Sequence, residues 1–169
     1  MAVLEIVIYP HPALTRRAEE VEKVDGKIRK LISDMVDTMY ANGGIGLAAP
    51  QVGVSKRVIV VDVRLYDPST SLISMVNPEV VSEEGEVIHE EGCLSLPECV
   101  EGITRRTWIK VRGLNERGRQ IEVEGEGMLA IALQHEIDHL NGTVILNRIS
   151  RVKRDLYKKR LKRAKQRAE

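Results

Sequence analysis

His135-Glu136-Ile137-Asp138-His139 places two histidines four residues apart. On an α-helix that spacing projects both imidazoles from one face, where they can grip one divalent metal, with Glu136 beside it. A bound cation lowers the pKa of its water from about 15.7 toward roughly 7, and a neighbouring carboxylate can take and return the proton. The same five residues also suit an ordinary exposed helical turn, so the third ligand matters. An extended metalloprotease pattern would put a histidine three residues beyond Gly142, but that position is Ile145. The acids downstream of His139 are Asp155 and Glu169, both inside a basic tail. Upstream, Glu91-Gly92-Cys93-Leu94-Ser95-Leu96-Pro97 offers Cys93. One thiolate with two imidazoles makes a three-ligand site whose fourth position stays open for water.

Several elements must position these groups. Asp25 is a helix cap, and Ile28, Leu31, Ile32, Met35, Val36 and Met39 recur at helical spacing until Asn42-Gly43-Gly44 stops the pattern. Gly44 to Gln51 is a loop or short extended segment. Arg57 to Val63 is an almost continuous β-branched run, and Leu72 to Val76 a second strand ending at Asn77-Pro78, with Asp67-Pro68-Ser69 turning between them. Thr107 to Leu114 and Arg119 to Glu124 form a hairpin about Asn115-Glu116-Arg117-Gly118. The metal helix follows, from about Gly127 to Leu140, with no good cap at its start. On its metal side lie Met128, Ile131 and Ala132, either plain core or an apolar trough beside the metal. The expected class is α+β: antiparallel sheets around a central metal-binding helix, with a C-terminal helix.

A chain of 169 residues is of single-domain size. Residues 1–150 are expected to form the catalytic domain, and 151–169 a basic helix of the same domain. No apolar run approaches the roughly 20 residues of a membrane span. The start, Met1-Ala2-Val3-Leu4-Glu5, lacks the pattern of a secretory signal. Two cysteines without such a signal point to a reducing, cytoplasmic setting. The net charge of +1 hides an asymmetry, because residues 151–169 hold 10 of the 26 Lys and Arg and 2 of the 25 Asp and Glu. Tyr157, Leu161, Ala164 and Ala168, extended by Val152 and Leu156, make this segment an amphipathic basic helix suited to a phosphate-rich partner.

Three motifs stand in order: Gly44-Ile45-Gly46-Leu47-Ala48-Ala49-Pro50-Gln51, Glu91-Gly92-Cys93-Leu94-Ser95, and Gln134-His135-Glu136-Ile137-Asp138-His139. With the opening Tyr9-Pro10-His11-Pro12, they make the chain resemble the peptide deformylase family over about residues 4 to 150. The resemblance implies hydrolysis of the N-formyl group from the formylmethionine that begins nascent polypeptides, releasing formate. It implies one divalent ion on Cys93, His135 and His139, with Fe2+ as the native ion. The donor set by itself also admits Zn2+, Ni2+ or Co2+. Glu136 would be the proton carrier. Negative charge building on the carbonyl oxygen needs fixed donors, which the Gln51 side-chain amide and the Leu94 N–H can supply. Ile45 and Gly46 could pair with a peptide as an added strand, while Glu91, Gly92, Met128, Ile131 and Ala132 would border the substrate. Arg105 is expected to brace Glu91, Asp138 to orient a ligand, and His89 either to edge the pocket or to be an ordinary histidine. For an enzyme of nascent chains, the natural partner of residues 151–169 is the ribosome, RNA and protein near the exit tunnel.

Two other readings use the same residues. Cys93, Cys99, His135 and His139 could close a four-ligand structural zinc site in a nucleic-acid-binding module. The five residues between the cysteines exceed the usual ~2–4 of such sites, and that reading leaves Glu136 and Gln51 idle. A general metalloprotease would keep the water chemistry but take long unblocked peptides.

Overall fold

The Asp25 carboxylate accepts the N–H of Ile28 and starts helix α1, Gly26–Ala41, in the computed structural model, which describes residues 2–168. Met1 and Glu169, the outer bounds of the two expected segments, lie outside the described residues. Three short strands are β1 (Gly46–Ala48), β2 (Val58–Val61) and the first part of β3 (Ile73–Glu84). A hairpin of β4 (Val87–Cys93) and β5 (Leu96–Arg105) follows, then the hairpin β6 (Trp108–Leu114) and β7 (Gln120–Glu126). Helix α2 spans Gly127–Leu140 and helix α3 spans Arg151–Ala168. Antiparallel strands β1-β2-β3-β6-β7 make one sheet, and β4-β5 a separate pair.

The continuous apolar run of β2 has a simple cause: this strand is covered on both faces. Val58 and Val60 point to α1, where they meet Ile32, Met35 and Met39. Ile59 and Val61 point the other way, into a cluster with Leu129, Leu133 and Ile137 of α2. Helix α2, packed against β1, β2 and β7, is buried round most of its surface rather than along one stripe, and His135, Glu136 and His139 are among its buried residues. It enters directly from β7 through Gly127 at φ 58°, with no side-chain cap on Glu126. A positive φ at the corner is what glycine permits. Its far end is pinned by buried Arg57, which donates to Leu140 O and Asn141 Oδ1, both at 2.9 Å. That guanidinium satisfies a helix-end carbonyl right beside His139.

Two expectations change. Strand β3 does not stop at Asn77-Pro78 but runs on to Glu84. Asn77 adopts φ 53° at a register shift, and its side-chain amide bonds both the N–H and C=O of Val21 at 2.9 Å. The break is a β-bulge, a place where a proline without an N–H is tolerated. The apolar side of α3 is also narrower than its spacing suggests. Tyr157 is buried and Leu161 packs against the third core cluster, whereas Val152 and Leu156 are 70% and 55% exposed. No helix among the described residues is long and apolar enough to cross a membrane.

Candidate metal centre

Two elements remote in sequence deliver the three donors. His135 and His139 lie one turn apart on α2, and Cys93 ends β4 at the two-residue turn Leu94-Ser95 into β5. The Sγ of Cys93 is 3.4 Å from His139 Nε2, which is 3.3 Å from His135 Nε2. All three ligand atoms lie within 4.8 Å of one another. Lone pairs converging on one point between the β4–β5 turn and α2 are what a cation would relieve. The charges agree. Burial acts to lower the pKa of His135, but Glu136, Cys93 and Glu91 outweigh it and raise it, so the pocket draws positive charge. Burial and the neighbouring His135 hold His139 well below the ordinary range, leaving a neutral imidazole fit to ligate. The residues fit a divalent metal.

Support groups fix the ligands. The Nδ1–H of His135 donates to Glu91 Oε1 at 2.8 Å, and the carboxylate, an acceptor only, thereby sets the tautomer that leaves Nε2 for metal. Glu91 also receives Arg105 Nε and Nη2 at 2.7 and 2.8 Å. Burial pushes the Glu91 carboxyl up, but the hydrogen bonds from Arg105 and His135 prevail and bring it to about 2. On the other side, Gln51 accepts the N–H of Ala48 at 2.9 Å and donates from Nε2 to Ser95 Oγ at 3.2 Å and Cys93 Sγ at 3.6 Å. Gln51 is thus locked in a 3-10 turn at residues 49–52 behind β1.

Glu136 is 5% exposed, and its Oε1 has no partner among the described residues. Burial lifts its pKa to about 7, the range in which a carboxyl can both take and return a proton. Gly46 makes room for it: a Cβ at that position would stand 2.5 Å from Glu136 Oε2.

One cavity of about 450 Å³ gathers these groups with the expected substrate side. Ile45, Gly46, Gly92, Leu94, Met128 and Ala132 line it, together with Glu91, Cys93, His135 and Glu136. Ile131 does not; it is buried one step round α2 from the row Met128–Ala132–His135. His89 does line the cavity, with Nδ1 buried and unpartnered among the described residues. Cys99 sits among Leu14, Leu96, Ile103 and Tyr157 and is outside the donor cluster, so the four-ligand site is not assembled. Asp138 reaches no ligand directly; it receives Arg105 Nη1 at 2.7 Å and both Nε and Nη2 of Arg148. Ser95 closes the second motif but carried no role there, being a small polar residue in a turn, and Arg148, a basic residue ten positions from its partner, had no mark in the sequence.

A three-donor centre beside an open cavity, with a buried carboxylate next to it, is the arrangement of a metal-dependent hydrolase. The family model of polypeptide deformylase matches residues 3–155. The peptide deformylase of Thermodesulfovibrio yellowstonii is 49% identical over 98% of this chain and 100% of its own. A peptide deformylase structure from Legionella pneumophila superposes with TM-score 0.90 at 42% identity, covering 98% of this chain and 96% of that one. One from Ehrlichia chaffeensis in complex with actinonin gives 0.91 at 44%, covering 97% and 98%. The chain belongs to the polypeptide deformylase family.

Proposed function

We propose that this chain removes the N-formyl group from the formylmethionine at the start of nascent polypeptides, releasing formate and a free N-terminal methionine. One observation carries the reading: Glu136, buried with an oxygen unpartnered among the described residues, shares a cavity with Cys93 and His135, two of the three convergent donors, and with Ile45 and Gly46 at the outer edge of β1. The peptide would add to that edge at Ile45 and Gly46, and its methionine would enter the apolar side at Met128 and Ala132. A divalent metal on Cys93 Sγ and the two Nε2 atoms would supply Lewis acidity and a water ionised near neutral pH. Glu136 takes the water's proton and later hands it to the departing amine. Gln51 Nε2 and the Leu94 N–H share the negative charge that develops on the formyl oxygen. Glu91, held by Arg105, keeps the His135 ring in place throughout.

We assign Fe2+ as the native ion, on the family's likeness and a donor set that suits several first-row metals. We place the chain in the cytoplasm, docked through α3 on ribosomal RNA and protein near the exit tunnel. The segment 151–169 carries a net charge of +8 against −7 for the remainder, which favours a phosphate-rich surface. Formate release from a formyl-Met peptide, with acetyl-Met and internal-bond peptides in parallel, tests the activity; turnover of the internal bonds would favour a general protease. Metal analysis of protein purified without oxygen tests the ion. Salt-dependent co-sedimentation with ribosomes, lost on deleting residues 151–169, tests the partner.

A further inference from the structure

Behind the metal centre, charged groups form a continuous chain whose outer members, Arg148 and Asp138, have no part in the proposed hydrolysis. It begins at Arg148, the last residue of a short 3-10 turn, Ile145–Arg148, between α2 and α3. Arg148 forks onto Asp138, Nε to Oδ2 at 2.6 Å and Nη2 to Oδ1 at 2.8 Å. Arg105 shares the same Asp138 Oδ2 at 2.7 Å and holds Glu91 with its other two nitrogens. Glu91 ends the chain on His135 Nδ1. We infer that Arg148 is a positioning residue for the metal centre: through Asp138, Arg105 and Glu91 it sets how His135 presents its Nε2. The inference rests on the deformylase reading only in that His135 holds a metal.

The charges explain why the outermost group matters. Side-chain exposure falls along the chain from 42% at Arg148 to 13% at Asp138 and 2% at Arg105. Without Arg148, the inner three groups are one cation between two carboxylates. Asp138 would then depend on Arg105 alone, and the Arg105 guanidinium, drawn toward it, would loosen its two-point grip on Glu91. Such bidentate contacts fix geometry as well as contribute energy. The damage should not spread to the fold. Arg148 lines a second cavity of about 450 Å³ on the rear of the site, with Arg105 and Asp138 in its wall, so truncating it opens solvent rather than a core void.

Charge and geometry predict opposite signs. Deleting a positive charge near a cation should tighten the metal, whereas misplacing His135 should loosen it. The full chain would be loaded with Co2+, and Co2+ release followed with excess chromophoric chelator, alongside its absorption spectrum and deformylation kinetics. For Arg148→Ala we expect release roughly 3- to 10-fold faster, at or below the ~10–100-fold typical of groups bonded directly to a ligand. A shifted Co2+ spectrum and a lower kcat at unchanged KM should accompany it. Arg148→Lys keeps the charge but loses the fork, and should move release and spectrum in the same direction by less. Arg117→Ala, in the exposed turn between β6 and β7, should match the parent. Parental or slower release in both Arg148 variants, or an effect confined to Arg148→Ala, would overturn the inference. Should Arg148→Ala fail to fold, Arg148→Lys decides alone. A parent chain that holds no stoichiometric Co2+ would count against the proposed function instead.

Discussion

Gly46→Ala separates fold from function more sharply than any other single change. The added Cβ would lie 2.5 Å from Glu136 Oε2 and 3.0 Å from its Cδ and Cγ. Carbon contacts are comfortable at about 3.5 Å or more, so the carboxylate must retreat by roughly 1 Å. The backbone can accept the methyl, because Gly46 has no positive φ and the obstruction is the flexible end of one side chain. We therefore expect a stability change within about 1 kcal/mol. Catalysis should suffer far more, since a ~1 Å misplacement of a reacting group can cost about 100-fold. The assay is kcat and KM for formate release from a formyl-Met peptide, with metal content and thermal melting measured on the same preparation. Folded, metal-replete Gly46→Ala turning over at the parental kcat would refute the idea that Gly46 holds Glu136 in its working position. Gly44→Ala is the control: its Cβ meets Leu94 Cδ1 at 3.0 Å, and kcat should change much less.

Glu136→Gln should keep its metal yet lose about 10²–10⁴-fold in kcat, the share of a positioned proton carrier; formate assays with metal analysis check this. Glu91 ties stability to pH. Its folded pKa of about 2, below the ordinary 4.5, gives a contribution of about 3 kcal/mol. That contribution is complete above about pH 4.5 and lost as pH falls toward about 2. Denaturant titrations at stepped pH should show the decline, and it should shrink in Glu91→Gln. Cys99→Ala should retain stoichiometric metal, because Cys99 stands outside the donor cluster; loss of metal would revive the structural-zinc reading. Tyr157→Phe removes the hydroxyl that donates to Pro97 O at 3.0 Å and should cost about 1 kcal/mol in denaturant unfolding.

Local patterns carried well where a single element obeys a short rule. Asp25 starts α1 because a carboxylate one residue before the helix can meet the N–H of Ile28, and the alternation around Ile121 and Val123 marks β7. The pair β4-β5 went unmarked because it holds charged residues, Pro97, Gly92 and Gly102, with little apolar alternation. Its Cys93 end is held partly by tertiary bonds, such as Gln51 to Ser95. Asn77-Pro78 has the composition of a stop, and only the bulge and the partner Val21 turn it into mid-strand.

Residue types and helical period by themselves place His135, Glu136 and His139 on one surface, because 3.6 residues per turn is a property of any α-helix. They also nominate a cysteine. Packing decides the rest: Cys93 comes to 3.4 Å from a histidine 46 positions away. Gly46 clears space for a carboxylate on another element, and Arg148 joins a chain of charges ending on His135. Such meetings depend on how sheet, hairpin and helix are stacked, and no local spacing encodes that distance.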